Sequence, residues 1–255
     1  MDAYESFAAV YDLFMDDVDY RGWCRYLTDL LRQHGIRDGL VCELGCGTGT
    51  MTELLSAQGY DMIGIDASPD MLSAAQDKKD RSGSDILYLL QDMREFELYG
   101  TVRAIVSVCD SMNYLLEEED LLQVFRLAGN YLDPGGLFVF DMNTPGKYSR
   151  IGDSVIAENR EEGSFIWENS FDPETGCNEY CLTLFLPEGD RGLYRRHEEI
   201  HTQRGYDIQT LRRLIEEAGL VWLGAKEAYT DREITAGTDR ILIVAQENEK
   251  CREAK

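Results

Sequence analysis

The stretch Glu43-Leu-Gly-Cys-Gly-Thr-Gly49 constrains the chain more than any other. It follows a short apolar run at 40–44 and leads into helix-patterned residues 51–57, so a strand turns into a helix through three alternate glycines. Glycine reaches backbone conformations closed to other residues and leaves no Cβ in the way of an approaching group, so something packs on this loop. Dinucleotide loops place their third glycine one residue later, as G-x-G-x-x-G, with a pyrophosphate on the helix N-terminus. The spacing here argues against a nicotinamide oxidoreductase.

Around the loop, apolar runs alternate with helical patterns. Residues 61–65, 86–90, 102–108 and 137–140 read as further buried strands, with helices over 51–57, from Pro69 toward Lys78, and over 117–132. Ser68 is the N-cap expected of a helix that starts on proline. Residues 133–136, Asp-Pro-Gly-Gly, read as a turn launching the fifth strand. A helix opened by Asp207 and stopped by Gly219 leads to closing strands at 221–229 and 240–246, and the polar tail from Glu247 reads as frayed. This order predicts an α/β fold with a doubly wound, mostly parallel seven-stranded sheet.

Two segments fall outside that alternation. Residues 4–34 carry Phe7, Val10, Tyr11, Phe14, Trp23, Tyr26, Leu27, Leu30 and Leu31 at helical spacing. Between 155 and 204 the period changes to strict alternation, at 165–171, 179–185 and 193–200, which predicts three antiparallel strands joined by turns at 172–176 and 187–190. The expected organisation is a helical cap at 1–39, a core of 40–154 and 205–247, and a small antiparallel β insertion at 155–204.

Successive strand ends carry the chemistry. Asp66 closes the second strand 23 residues after Glu43, where a carboxylate accepts both hydroxyls of a ribose. Gln91-Asp92-Met93 closes the third with an acid for an adenine edge and a thioether for its face. With the glycine loop these describe one nucleoside pocket.

In this motif order, over roughly 41–140, the sequence resembles the class I S-adenosylmethionine-dependent methyltransferases. Its cap and β insertion are similar to those of glycine-type and sugar-nucleotide N-methyltransferases. The resemblance implies a Rossmann-like methyltransferase fold, with S-adenosyl-L-methionine as cofactor and S-adenosyl-L-homocysteine as product. It implies Gly45 and Gly47 against the methionine part and Glu43 at its amino end, Asp66 at the ribose, and Asp92 with Met93 at the adenine. Cys109 and Asp110 fall at the sulfonium end, and Tyr11, Cys46, Ala67 and Met71 are further expected contacts.

Ligands of open α/β sheets bind at the carboxyl ends of the strands, which makes Asp110, Asn113, Tyr114 and Asn143 substrate-side candidates. His201, Arg204 and Tyr206 leave the last inserted strand toward the pocket, and Trp23 lies on the second helix. Asp110, His201 and Tyr206 are the options for a base, although an isolated strand histidine is more often structural. Methyl transfer is an in-line displacement that needs alignment more than catalytic side chains. A small amine is the preferred acceptor. An oxygen acceptor, a tRNA or protein acceptor and a non-catalytic cofactor-binding protein stay open.

Composition narrows the partners. The net charge of -23 repels phosphate backbones and anionic lipid, so neither nucleic acid nor a membrane is expected, and a small molecule is. Seven cysteines without paired spacing suit a reducing cytoplasm, and His34, His197 and His201 are too few and too scattered for a metal site. Nothing in the sequence fixes the oligomeric state.

Overall fold

The computed structural model describes residues 11–16, 18–189 and 192–248. Helices α1 (Tyr11–Phe14) and α2 (Tyr20–Gln33) come first. Asp19 caps α2 by accepting from the Gly22 N–H at 2.8 Å, and Cys24, Leu27, Thr28 and Leu31, three and four apart, form its buried stripe. Phe7 and Val10 of the expected stripe lie outside the described residues.

Strands β1 (Gly39–Leu44), β2 (Tyr60–Asp66), β3 (Leu87–Leu90), β4 (Val102–Ser107) and β5 (Leu132–Asn143) alternate with α3 (Thr50–Ser56), α4 (Pro69–Ser82) and α5 (Glu118–Tyr131). Helix α6 (Pro145–Ile151) then leads to β6 (Val155–Asn159), β7 (Ser164–Asp172), β8 (Cys177–Glu188) and β9 (Leu193–Arg204), which pair antiparallel as a separate sheet. Helix α7 (Ile208–Glu217), β10 (Leu220–Glu227) and β11 (Arg240–Glu247) close the chain. The large sheet has the order β10-β11-β5-β4-β1-β2-β3. Its strands β1 to β5 are parallel, β11 runs antiparallel to them, and the edge strand β10, antiparallel to β11, points the same way as β1 to β5.

The alternation of strand side chains builds a core on each face of this sheet. Along β5, Leu137 and Val139 join α2 and α3 through Leu27, Leu31 and Leu55. Phe138, Phe140 and Met142 join α5 and α7 through Phe125, Leu211 and Ile215. β1 divides in the same way, Val41 to the first layer and Cys42 and Leu44 to the second. Both faces being covered explains why these strands read as continuous apolar runs.

Several expectations are corrected. The small sheet has four strands, because the short run at β6 also pairs, and β8 continues through Pro187 and Glu188 where a turn was expected. Residues 133–136 lie within β5 as a bulge: Leu132 pairs with Val102 and Leu137 with Ala104. Thr144 and Pro145 start α6, with the Thr144 hydroxyl accepting from Lys147 N at 3.1 Å. Glu247 is not frayed; it ends β11, buried, with its carboxylate accepting from Gly135 N at 3.1 Å.

Phe125 is fully buried, its ring centroid 5.8 Å from that of Phe138 and 5.4 Å from that of Phe140. Phe125→Ala should lower unfolding free energy by about 3–5 kcal/mol in urea titration, the range for a core phenylalanine that leaves a cavity; a loss below about 1 kcal/mol would show that the α5 layer is not packed as described.

Candidate functional site

Parallel strands direct their carboxyl ends to one side, and the segments there enclose a cavity of about 390 Å³, within the ~300–1,000 Å³ of small-molecule sites. Its wall is the glycine loop, the ends of β2 and β3, the residues after β4 and, from the N-terminal side, Tyr11 and Tyr20.

Gly45, Gly47 and Gly49 all take positive φ (68, 53 and 75°), which glycine adopts without a Cβ penalty. They serve different purposes. A Cβ at Gly45 would fall 2.5 Å from Ser111 Cβ, and one at Gly49 would strike the Tyr88 hydroxyl, so these two let the loop pack on the protein. At Gly47 a Cβ would meet only Met71 Sδ, at 3.9 Å, and Met71 itself lines the cavity. Gly47 is the glycine that keeps room for a ligand.

The Asp66 carboxylate braces the loop. Oδ2 accepts from Gly47 N at 2.7 Å and Oδ1 from Ser68 N at 2.8 Å, while burial pushes its pKa up against those two bonds. Ser68 in turn caps α4 by accepting from Met71 N at 3.3 Å. Asp92 is gripped by Arg94, whose Nη2 donates to Oδ2 at 2.6 Å and Nε to Oδ1 at 3.0 Å, and this holds its carboxyl below the usual range. Glu43 is buried in the wall and accepts from the Thr52 hydroxyl. Burial pushes it up to about 8, with the Thr52 bond opposing and the Asp66 charge adding.

Three carboxylates that can accept from hydroxyl and amino groups, beside the thioethers of Met71 and Met93, fit an adenosyl group carrying an amino acid. Tyr11, Glu43, Gly45, Cys46, Gly47, Asp66, Ala67, Met71, Asp92, Met93 and Cys109 therefore come together around one cavity, as does Tyr114. Among the described residues no three His, Cys, Asp or Glu side chains converge as metal ligands.

Helix α1 is fastened over this wall. Asp12 pairs with Lys78 at 2.6 Å and accepts from the Thr48 and Thr50 hydroxyls at 2.7 and 3.1 Å. Asp16 meets Arg160, between β6 and β7, at 2.9 Å. Tyr11 also packs on Phe165, Leu182 and Leu184 of the small sheet. None of these ties is local in sequence.

Behind the wall lies a buried charge cluster. Cys109 and Asp110 both sit at positive φ (57 and 54°), a conformation costing non-glycine residues on the order of 1–3 kcal/mol. Asp141 holds them there: its fully buried carboxylate accepts from Cys109 N at 3.0 Å and Asp110 N at 2.7 Å. Arg240 donates to both Asp141, at 2.7 Å, and Asp110, while Gln203 donates to Asp110 Oδ2 at 2.7 Å. Tyr229 donates to Asp141 and stacks on Trp23 with centroids 4.2 Å apart.

Asp110 thus does not line the cavity, and neither do the other substrate-side candidates except Tyr114. Trp23 stacks on Tyr229 and lies against the Arg240 guanidinium, 5.4 Å from its ring centroid. The Asn113 side chain clamps the Asn143 backbone, accepting from its N at 2.9 Å and donating to its O at 3.1 Å, while the Asn143 side chain donates to the Tyr148 hydroxyl and accepts from Lys147 Nζ. Arg204 donates to Leu116 O and Tyr206 to Leu115 O, both at 2.7 Å, so they hold the segment after Tyr114 and offer no base. His201 is buried against Tyr114, 3.3 Å from its hydroxyl. Sequence reasoning missed Tyr20, Thr48, Thr50, Ser68, Arg94 and Ser111 in the wall. Ser68 is both the N-cap of α4 and part of the wall, and its nearness to Asp66 is the sequence signal for the second role.

Residues 41–136 match the family described as "Methyltransferase domain". A protein of Geobacillus sp. (strain WCH70) described as a methyltransferase is 34% identical over 246 residues, 95% of this chain and 99% of the relative. A crystal structure of an S-adenosylmethionine-dependent methyltransferase from Clostridium acetobutylicum superposes with a TM-score of 0.86 at 28% identity, covering 95% of this chain and 98% of that one. The dTDP-3-amino-3,4,6-trideoxy-alpha-D-glucopyranose N,N-dimethyltransferase of Streptomyces venezuelae is 32% identical over 136 residues, 52% of this chain and 56% of that protein.

A carboxyl with a pKa of about 8 is mostly protonated at pH 7, and an ammonium group placed near it favours its ionised form. Binding of S-adenosylhomocysteine should therefore release close to ~1 proton at pH 7, so affinity rises with pH up to about 8 and then levels. Calorimetry in buffers of different ionisation enthalpy reads that proton directly. Glu43→Gln should abolish the release; equal release by both proteins would remove Glu43 from the amino end.

Proposed function

The chain belongs to the S-adenosylmethionine-dependent methyltransferase family, and from that premise we propose that it methylates the nitrogen of a small-molecule amine. The observation that carries this reading is the charge of the cavity wall. Among the described residues Glu43, Asp66 and Asp92 line it against the one cation Arg94, while behind it Asp110 and Asp141 are matched by Arg240 and Lys147, so the wall favours a cationic group over an anion. The amino-sugar N,N-dimethyltransferase matched over half the chain supports the same acceptor class.

Bound, the cofactor supplies an electrophilic methyl group on a sulfonium whose departure leaves a neutral thioether. Everything else falls to the chain. In this reading Asp66 accepts from the ribose hydroxyls through the lone pairs left free by Gly47 and Ser68, Asp92 accepts from the adenine amino group, and Met93 packs on the ring. Gly47 lets the backbone approach the amino acid part, whose amino end Glu43 receives. Tyr11, Cys109 and Tyr114 surround the reacting end, where exclusion of water and alignment of the acceptor lone pair matter most.

The division of labour follows the sheet. Residues 43–115, in the first half of the sheet, grip the cofactor, and the cap with the insertion at 155–204 selects the acceptor. Asp12–Lys78 and Asp16–Arg160 tie that cap to both partners. Cysteines 24, 42, 46, 109, 177 and 181 are free thiols, which supports a reducing cytoplasm as the site of action.

Release of S-adenosylhomocysteine from S-adenosylmethionine across a panel of primary amines, hydroxyl compounds and carboxylates tests the acceptor class. Turnover confined to amines, with the added methyl on nitrogen by mass spectrometry, is expected. Methylation of hydroxyl compounds alone would overturn the reading.

A further inference from the structure

Strand β9 buries Glu199, His201 and Gln203 on one face, an unusual load of polar groups for the inner side of a small sheet. The strand's period of two makes them neighbours, and their partners across β8 are Leu182, Tyr180 and Asn178. Gln203 has a structural task at both ends of its amide: it accepts from the Tyr148 hydroxyl at 2.8 Å and donates to Asp110 at 2.7 Å. The pair above it reaches the cavity only through Tyr114. His201 Nδ1 is 3.3 Å from the Tyr114 hydroxyl, Nε2 is 3.3 Å from Glu199 Oε2, and Tyr114 lines the cavity that Cys109 and Tyr11 also line.

One tautomer suits both neighbours. A carboxylate only accepts, so a proton on the ring nitrogen nearer Glu199 leaves Nδ1 to accept from the phenol. The contact with Glu199 is one of charge more than of an aligned hydrogen bond, which is the kind that strengthens when the ring becomes cationic. Both Glu199 and His201 are 4% exposed, so little water screens that attraction.

We propose that Tyr114, His201 and Glu199 form a proton-accepting line at the reacting end of the cavity that converts an ammonium acceptor into a free amine. The proposal rests on the amine reading given above. The acceptor N–H bond breaks and its proton passes to Tyr114 Oη as the phenol's own proton moves to His201 Nδ1. The products of that step are a neutral amine with its lone pair, an intact phenol and an imidazolium facing the Glu199 carboxylate. The proton returns to solvent by the same path as the methylated product leaves. Tyr114 touches the acceptor, whereas His201 and Glu199 act through it.

Sinefungin tests this without knowledge of the acceptor, because it places an amine-bearing carbon where the cofactor carries its sulfonium methyl. S-adenosylhomocysteine, which has neither, serves as the control for fold and cofactor grip. Tyr114→Phe, His201→Asn and Glu199→Gln should each weaken sinefungin about tenfold or more, the scale of a lost hydrogen bond to a charged group, and change S-adenosylhomocysteine binding by less than about twofold. Equal changes for both ligands, or an unchanged ratio between them, would overturn the line and leave these residues as braces of the small sheet. A native protein that bound neither ligand would instead remove the cofactor site on which the proposal rests.

Discussion

The carboxylate of Asp66 is the point through which the site is assembled. It ends β2, accepts from one backbone N–H of the glycine loop and from another at the start of α4, and so fixes two loops from different βα units against each other. Buried carboxylates are costly unless their lone pairs are used, and two N–H bonds offset that cost only in part, since the group's pKa still rises. Its remaining lone pairs face a cavity, and ligand hydroxyls would complete its hydrogen bonding. The carboxylate that braces the glycine loop is thus itself part of the cavity wall.

The second half of the site depends on a charge cluster built around the fully buried Asp141. Asp141 holds Cys109 and Asp110 in a backbone conformation that neither residue favours, and Arg240 makes that carboxylate tolerable. Removing one partner of such a cluster leaves an uncompensated buried charge, typically a loss of about 3–5 kcal/mol. The backbone after β4 is thereby fixed beside the cavity that Cys109 lines. A fixed wall suits methyl transfer, whose rate rests on geometry.

What was legible in the sequence was local. The glycine loop, Asp66 and Asp92 announce themselves because strand ends, turn glycines and caps are written in neighbouring residues, and the two-sided burial of the sheet shows as unbroken apolar runs. The change to alternation after residue 155 marked the small sheet, but β6 is too short to show a period of its own. The roles of Arg240, Asp12 and Glu199 were hidden for a different reason. Arg240 reaches partners 99 and 130 residues away, and Asp12 meets Lys78 only once the cap lies over the loop. Arg204, Tyr206 and Asn113 have the polarity of site residues, yet they spend it on backbone groups, and Asn143 spends its own on Tyr148 and Lys147.

The central claim is that this cavity holds an adenosyl cofactor through Asp66. Calorimetric titration with S-adenosylhomocysteine tests it most directly, comparing the native protein with Asp66→Ala. The account predicts one site per chain in the native protein and an affinity roughly 100-fold weaker in the variant, the loss expected when hydrogen bonds to a charged acceptor disappear and the loop loses its brace. An unchanged dissociation constant would contradict it.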